Sequence, residues 1–94
     1  MGYLSGTMTI DLKDIKSIEQ LHLLFKSRLN FPDWYGMNWD AFWDCITGIV
    51  EMPTTIEFLN VKDFKKAFPS DSETLFEIGR DYNNKSGVET FKLI

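Results

Sequence analysis

Apolar and polar residues alternate over Met8-Thr9-Ile10-Asp11-Leu12, the period of a short half-buried strand. The period then lengthens. Ile18, Leu21, Phe25 and Leu29 recur at helical spacing, which predicts an amphipathic helix over residues 18–29. Ser17-Ile18-Glu19-Gln20 reads as its capping box, with Ser17 as the cap and Gln20 reaching back to the Ser17 amide. Pro32 and Gly36 mark a loop. Asn38 can cap a second helix running through Thr47, with Gly48 as a left-handed stop, and Pro53 forbids continuation soon after. Thr54 to Leu59 is β-branched and alternating, a second strand. Residues 61–68 form a short helix at best. Ser70-Asp71-Ser72-Glu73 is a second possible capping box, opening a helix with Leu75, Ile78, Gly79 and Tyr82 on one face. Asn83 to Gly87 ends that helix, and residues 88–93 close the chain as a third strand.

Strands separated by helical crossovers imply an α/β fold: a three-stranded parallel sheet packed with about four helices. So small a sheet needs its helices to cover it well. The chain has 94 residues, which is one domain. Residues 1–7 are aperiodic and read as a mobile arm, leaving 8–94 as a single folded unit.

Composition narrows the function classes. Hydrophobic residues make up 44% of the chain, too many for a disordered segment. A single cysteine permits no internal disulfide. Neither a secretion signal nor a membrane span is evident, so the expected location is cytoplasmic. A net charge of −4 argues against direct nucleic-acid binding. Its distribution is more informative. Asp33, Asp40, Asp44, Glu51 and Glu57 lie between Arg28 and Lys62 with no cation among them. A focused negative patch of this kind steers basic partners.

On a helical wheel Trp39, Phe42, Cys45 and Ile46 share a broad apolar arc, while Asp40, Asp44 and Thr47 fall opposite and Trp43 at the border. Like charges at i and i+4 cost an isolated helix about 0.2–0.5 kcal/mol. Asp40 is partly offset by the helix dipole, and Asp44 is not. Most acidic stripes are solvated faces, but those interleave lysine, which is absent here. A large aromatic beside carboxylates is instead the composition of an interface hot spot. Trp34 and Tyr35 add aromatic area just before the helix.

Other constellations carry less. A glycosidase-type pair at Asp40 and Asp44 needs a cleft that a single small sheet hardly provides. Two carboxylates fall short of a hard-cation site, and no EF-hand spacing exists, so no metal is expected. Cys45 with His22 could form a nucleophile pair, but Cys45 falls on the apolar arc and reads as a core thiol, and His22 as a surface or satisfied residue. No phosphate loop or other cofactor motif occurs, so no cofactor is expected.

The segment "FPDWYGMNWDAFWDCITGIVEMP", with "SIEQLH" before it and "EMPTTIEF" overlapping its end, resembles the signature of the barstar family, intracellular inhibitors of barnase-like ribonucleases. The resemblance runs from Met8 to the C-terminus. It implies a one-to-one, non-enzymatic inhibitor, monomeric when free, that plugs the active site of a barnase-like ribonuclease or a related basic nuclease toxin. By position it implies that Asp44 is the main anchor, its carboxylate replacing a substrate phosphate. Asp40 would meet the same basic rim, with Trp43 and Thr47 beside it and Gly48 allowing close backbone approach. Asn38, Trp34 and Asp81 complete the implied partner surface. The barnase–barstar pair is itself a reference case for charge steering and hot spots, so its magnitudes are not independent expectations.

Four positions depart from the pattern. Trp34 stands in place of a family tyrosine, Asp81 in place of a glutamate, Ile49 in place of a tryptophan in a well-known member, and a second cysteine is missing near Gly87. The resemblance therefore implies the same class of target with a changed border, in the role of a bacterial immunity protein or antitoxin. The alternative reading is an acidic module that regulates another basic protein without inhibiting it.

Overall fold

The computed structural model describes residues 6–93. Strand β1 (Thr7–Asp11) is followed by helices α1 (Ile18–Arg28) and α2 (Trp39–Gly48). Strand β2 (Thr55–Leu59) is followed by α3 (Val61–Ala67) and α4 (Pro69–Ser86), and β3 (Phe91–Leu93) ends the fold. The strands lie in the order β1-β2-β3 and both pairings are parallel. This is the expected α/β architecture. β1 begins at Thr7, inside the segment read as an arm, and the Thr55 amide donates to the carbonyl of Gly6 at 3.3 Å. The rest of that expected arm, residues 1–5, lies outside the described residues.

Register places Met8, Ile56 and Phe91 side by side, with Ile10 beside Phe58 in the next row. Ile10, Ile56, Phe58 and Phe91 are buried beneath the helices. The other face carries Thr7, Thr9, Asp11 and Lys92 exposed, with Thr55, Glu57 and Leu59 half-buried. The helices thus cover one face of the sheet and leave this one open, in keeping with the half-buried alternation of Met8 to Leu12. Its polar side chains make that tolerable, although parallel sheets are usually buried on both faces. Phe42 of α2 is fully buried and touches four rings: Phe25 at 4.7 Å, Trp39 at 5.5 Å, Phe31 at 5.8 Å and Phe91 at 6.4 Å between centroids. One residue therefore joins the acidic helix to α1, the loop and the sheet.

The outer edge of β3 is closed by a side chain. Asn83 of α4 accepts from the Thr90 and Phe91 amides, both at 2.9 Å, and donates to the Phe91 carbonyl at 3.0 Å. Its carboxamide occupies the place of a neighbouring peptide group, protecting an edge that would otherwise invite another strand. Gly79 lets α4 lie this close, because a Cβ there would stand 2.9 Å from Cβ of Phe91.

Three expected helix ends differ. Ser17 caps α1 as expected, but the Gln20 side chain accepts from Lys16 N at 2.6 Å, one residue earlier than a capping box requires. α4 starts at Pro69, not at a Ser70 cap: proline at the first helical position already lacks the N–H that a cap would satisfy. Gly48 is helical, and the end of α2 is Ile49 in a right-handed conformation, so the left-handed stop expected at Gly48 is absent.

Candidate functional site

Asn38 opens α2 with extended backbone, and its side chain accepts from the Ala41 amide at 2.7 Å. The residue before it, Met37, is left-handed with φ of 56°. That conformation is costly for a side chain without local hydrogen bonding, and the packing of Met37 against the core holds it there. Asn38 is thereby set at the angle a cap needs.

The exposure of α2 follows the wheel. Phe42, Cys45 and Ile46 are buried; Trp39, Ala41 and Trp43 are half-buried; Asp40, Asp44, Thr47 and Gly48 are exposed. Asp40, Trp43, Asp44, Thr47 and Gly48 fall within an arc of about 140° at 100° per residue. Thr47 donates its hydroxyl to the Trp43 carbonyl at 2.6 Å. The side-chain hydrogen bonds of α2 among the described residues are this one, the Asn38 cap and the bond from Trp39 Nε1 to Asp71. Neither carboxylate takes part in them.

The helices differ in one respect that matters here. α1, α3 and α4 each carry a lysine or arginine in the last turn, as the helix dipole favours, and α2 carries none. Asp44 therefore stands just before a negative helix end that carries no cation of its own. Asp40 and Asp44 line neither of the grooves described among residues 6–93. The described groove of about 750 Å³ lies between α4 and β3, lined by Phe76, Arg80, Val88 and Leu93 among others, and the smaller described one, near Lys26 and Asp33, includes neither residue. Among the described residues no group of three or more acidic, His or Cys side chains could hold a metal, and no helix is long and apolar enough to cross a membrane.

The aromatic surroundings are only partly as expected. Trp34 is 72% exposed and Ile49 45%, so two of the large exposed apolar residues bracket α2 in the chain. Tyr35 is buried and adds nothing to the surface; its hydroxyl lies 2.6 Å from Nδ1 of buried His22. His22 is thus a satisfied core residue. The Cys45 thiol is buried too, and burial first, then the Asp44 charge, raises its pKa, the opposite of what a nucleophile requires. Asp81 is exposed on α4, a different helix from Asp40 and Asp44. Unexpected from the sequence is Asp71, on the first turn of α4, whose Oδ1 accepts from Trp39 Nε1 at 2.9 Å.

Exposed carboxylates beside half-buried and exposed aromatic side chains on an open helix face are the layout of a small α/β binding protein. Comparison with known sequences makes this specific. Residues 6–93 match the family described as "Barstar (barnase inhibitor)". A Bacillus subtilis (strain 168) protein named "Putative ribonuclease inhibitor YrdF" is 38% identical over 85 residues, covering 90% of this chain and 92% of that one. The chain belongs to the barstar family, and is a barstar-like inhibitor and not an enzyme.

Proposed function

We propose that the chain binds one-to-one to a basic secreted ribonuclease of the barnase type, or a related basic nuclease, and blocks its active site with α2. The observation that carries this reading is the pair Asp40 and Asp44, exposed on one face of α2 with no cation on the helix to offset them. A nuclease site gathers cations to hold phosphate, so it supplies what α2 lacks. Asp44 is the anchor in this reading, Asp40 meets the same basic rim, and Trp34, Asn38, Trp43, Thr47 and Asp81 surround them. Gly48 supports it as well: its backbone is helical, and a Cβ there would meet nothing within 4 Å, so neither conformation nor internal packing calls for glycine. Close approach of a partner backbone does. An inhibitor of a nuclease that the same cell or its neighbour secretes belongs in the cytoplasm, as an immunity protein.

The test is titration of the purified chain into a barnase-type ribonuclease, with an unrelated basic nuclease as control. Activity should fall linearly to zero at one equivalent, and the association rate should drop as salt rises. A complex that forms but leaves the nuclease fully active would favour a non-inhibitory acidic module. Absence of binding to any basic nuclease would remove the reading.

A further inference from the structure

α2 and α4 both carry residues of the proposed docking surface, Asp40 to Gly48 on one and Asp81 on the other. A surface split over two helices works only if their relation is fixed. Among the described residues the side-chain hydrogen bond joining the two is Trp39 Nε1 to Asp71 Oδ1, 2.9 Å, partly buried and spanning 32 positions of sequence. Trp39 immediately precedes Asp40. Its ring lies 4.7 Å from that of His22 and 5.5 Å, edge to face, from that of Phe42. His22 in turn contacts the hydroxyl of Tyr35, which donates to the carbonyl of the cap Asn38 at 3.4 Å. The first turn of α2 is therefore held from the loop through Tyr35 and from α4 through Asp71.

We propose that Asp71 is a positioning residue for the docking helix, acting through the indole of Trp39. It rests on the inhibitor reading for its functional consequence and on the geometry for its structural one. Asp71 sits in the first turn of α4, where the dipole favours its charge. An indole N–H needs only an acceptor oxygen, so the charge is separable from the role. Once its indole is released, Trp39 keeps its ring contacts but loses the bond that fixes its angle, and the Asp40 and Asp44 carboxylates turn with it.

The experiment compares Asp71→Ala, Asp71→Asn and Trp39→Phe. Asp71→Ala removes the acceptor, Asp71→Asn keeps an oxygen without the charge, and Trp39→Phe keeps a ring without the N–H. Dissociation from a barnase-type ribonuclease should quicken about 5- to 10-fold in Asp71→Ala and in Trp39→Phe, which is the loss of about one hydrogen bond. The double variant should be no faster than either single one, and Asp71→Asn should restore the slow rate. Equal impairment of Asp71→Asn and Asp71→Ala, or additive effects in the double variant, would overturn the proposal. A wild-type rate in Asp71→Ala would do the same.

The free chain supplies an independent readout by amide NMR. In Asp71→Ala the Trp39 Nε1–H resonance should shift, together with the amides of Asp40 to Asp44, while those of β1 stay in place. If β1 resonances collapse as well, that variant has lost its fold, and Trp39→Phe with Asp71→Asn decides the matter. If the wild-type chain binds no nuclease, the inhibitor reading fails. Unmoved α2 amides would sink the positioning claim whether or not a nuclease binds.

Discussion

Trp34 and Tyr35 are neighbours in the chain with opposite surroundings: the indole is 72% exposed, and the phenol ring is 5% exposed with its hydroxyl 2.6 Å from His22 Nδ1. Replacing each should therefore separate stability from binding. Trp34→Ala should leave the urea midpoint nearly unchanged, within about 0.5 kcal/mol, as for surface sites generally. On the inhibitor reading it should still weaken the nuclease complex. Tyr35→Phe keeps the ring but leaves His22 Nδ1 without its partner, a loss of about 1–3 kcal/mol of stability. Denaturation and binding curves on both variants check this. Equal stability losses would mean that the exposed indole supports the fold.

His22 gives stability a pH dependence of known sign. Burial holds its imidazole below the ordinary value, and the field of Asp71 offsets this in part. The groups around it are Tyr35 from the loop, Asp71 from α4 and the uncharged Trp39 ring from α2, with Glu19 and Lys26 on its own helix. A depressed folded pKa means that the unfolded chain binds the proton more readily. The His22 contribution is thus fully present above about pH 6.5, the unfolded value, and is lost as pH falls from there toward the folded pKa. Stability measured from pH 7 to 5 should fall more steeply in the wild-type chain than in His22→Gln. Identical slopes would show that the buried ring does not titrate there.

The strand alternation at Met8 to Leu12 announced a sheet with one covered face, and the α2 wheel separated buried from exposed side chains. Both are local periodicities, set by the geometry of a single element. The loop had none to read. Nothing in Trp34-Tyr35 says which ring turns inward, because that choice depends on His22 thirteen positions earlier. Asp71 was hidden for a similar reason. Within Ser70 to Glu73 it belongs to a capping pattern, and only the fold reveals that Pro69 already opens the helix and that Asp71 bonds an indole 32 positions away. Gly48 looked like a stop because glycine so often is one. Its helical backbone leaves the residue unexplained inside the chain and moves the question to a partner.

Two glycines should respond oppositely to alanine. Gly79→Ala would force a Cβ to within 2.9 Å of Cβ and 3.1 Å of Cγ of Phe91, atoms near the backbone that cannot swing aside. Overpacking of this kind costs about 1–3 kcal/mol, seen as a lowered Tm. Gly48→Ala meets nothing within 4 Å and keeps helical backbone, so the free chain should gain up to about 1 kcal/mol. The same methyl group should weaken the nuclease complex. If Gly48→Ala binds as tightly as the wild-type chain, no partner backbone comes close at that point.

Asp44→Ala bears most directly on why α2 looks as it does. In the free chain Asp44 faces a like charge one turn back, precedes a helix end without a cation, and engages in none of the side-chain hydrogen bonds of α2. Relief of the Asp40 pair is worth about 0.2–0.5 kcal/mol, and alanine's higher helix propensity adds up to about 0.7 kcal/mol. The variant should therefore unfold at the same or a higher temperature than the wild-type chain. Against a barnase-type ribonuclease it should lose at least about 2 kcal/mol of binding, the size that marks a hot spot, a scale to which the barnase–barstar pair itself contributed. Its association rate should also depend less on salt, since one steering charge is gone. The two measurements together are decisive because a structural aspartate gives the reverse pattern. If Asp44→Ala lowers Tm and leaves binding intact, the carboxylate stabilises the helix in a way this geometry does not account for. A gain in stability with a loss of binding is the signature of a residue kept at a cost to its own fold because its counter-charge lies on another molecule.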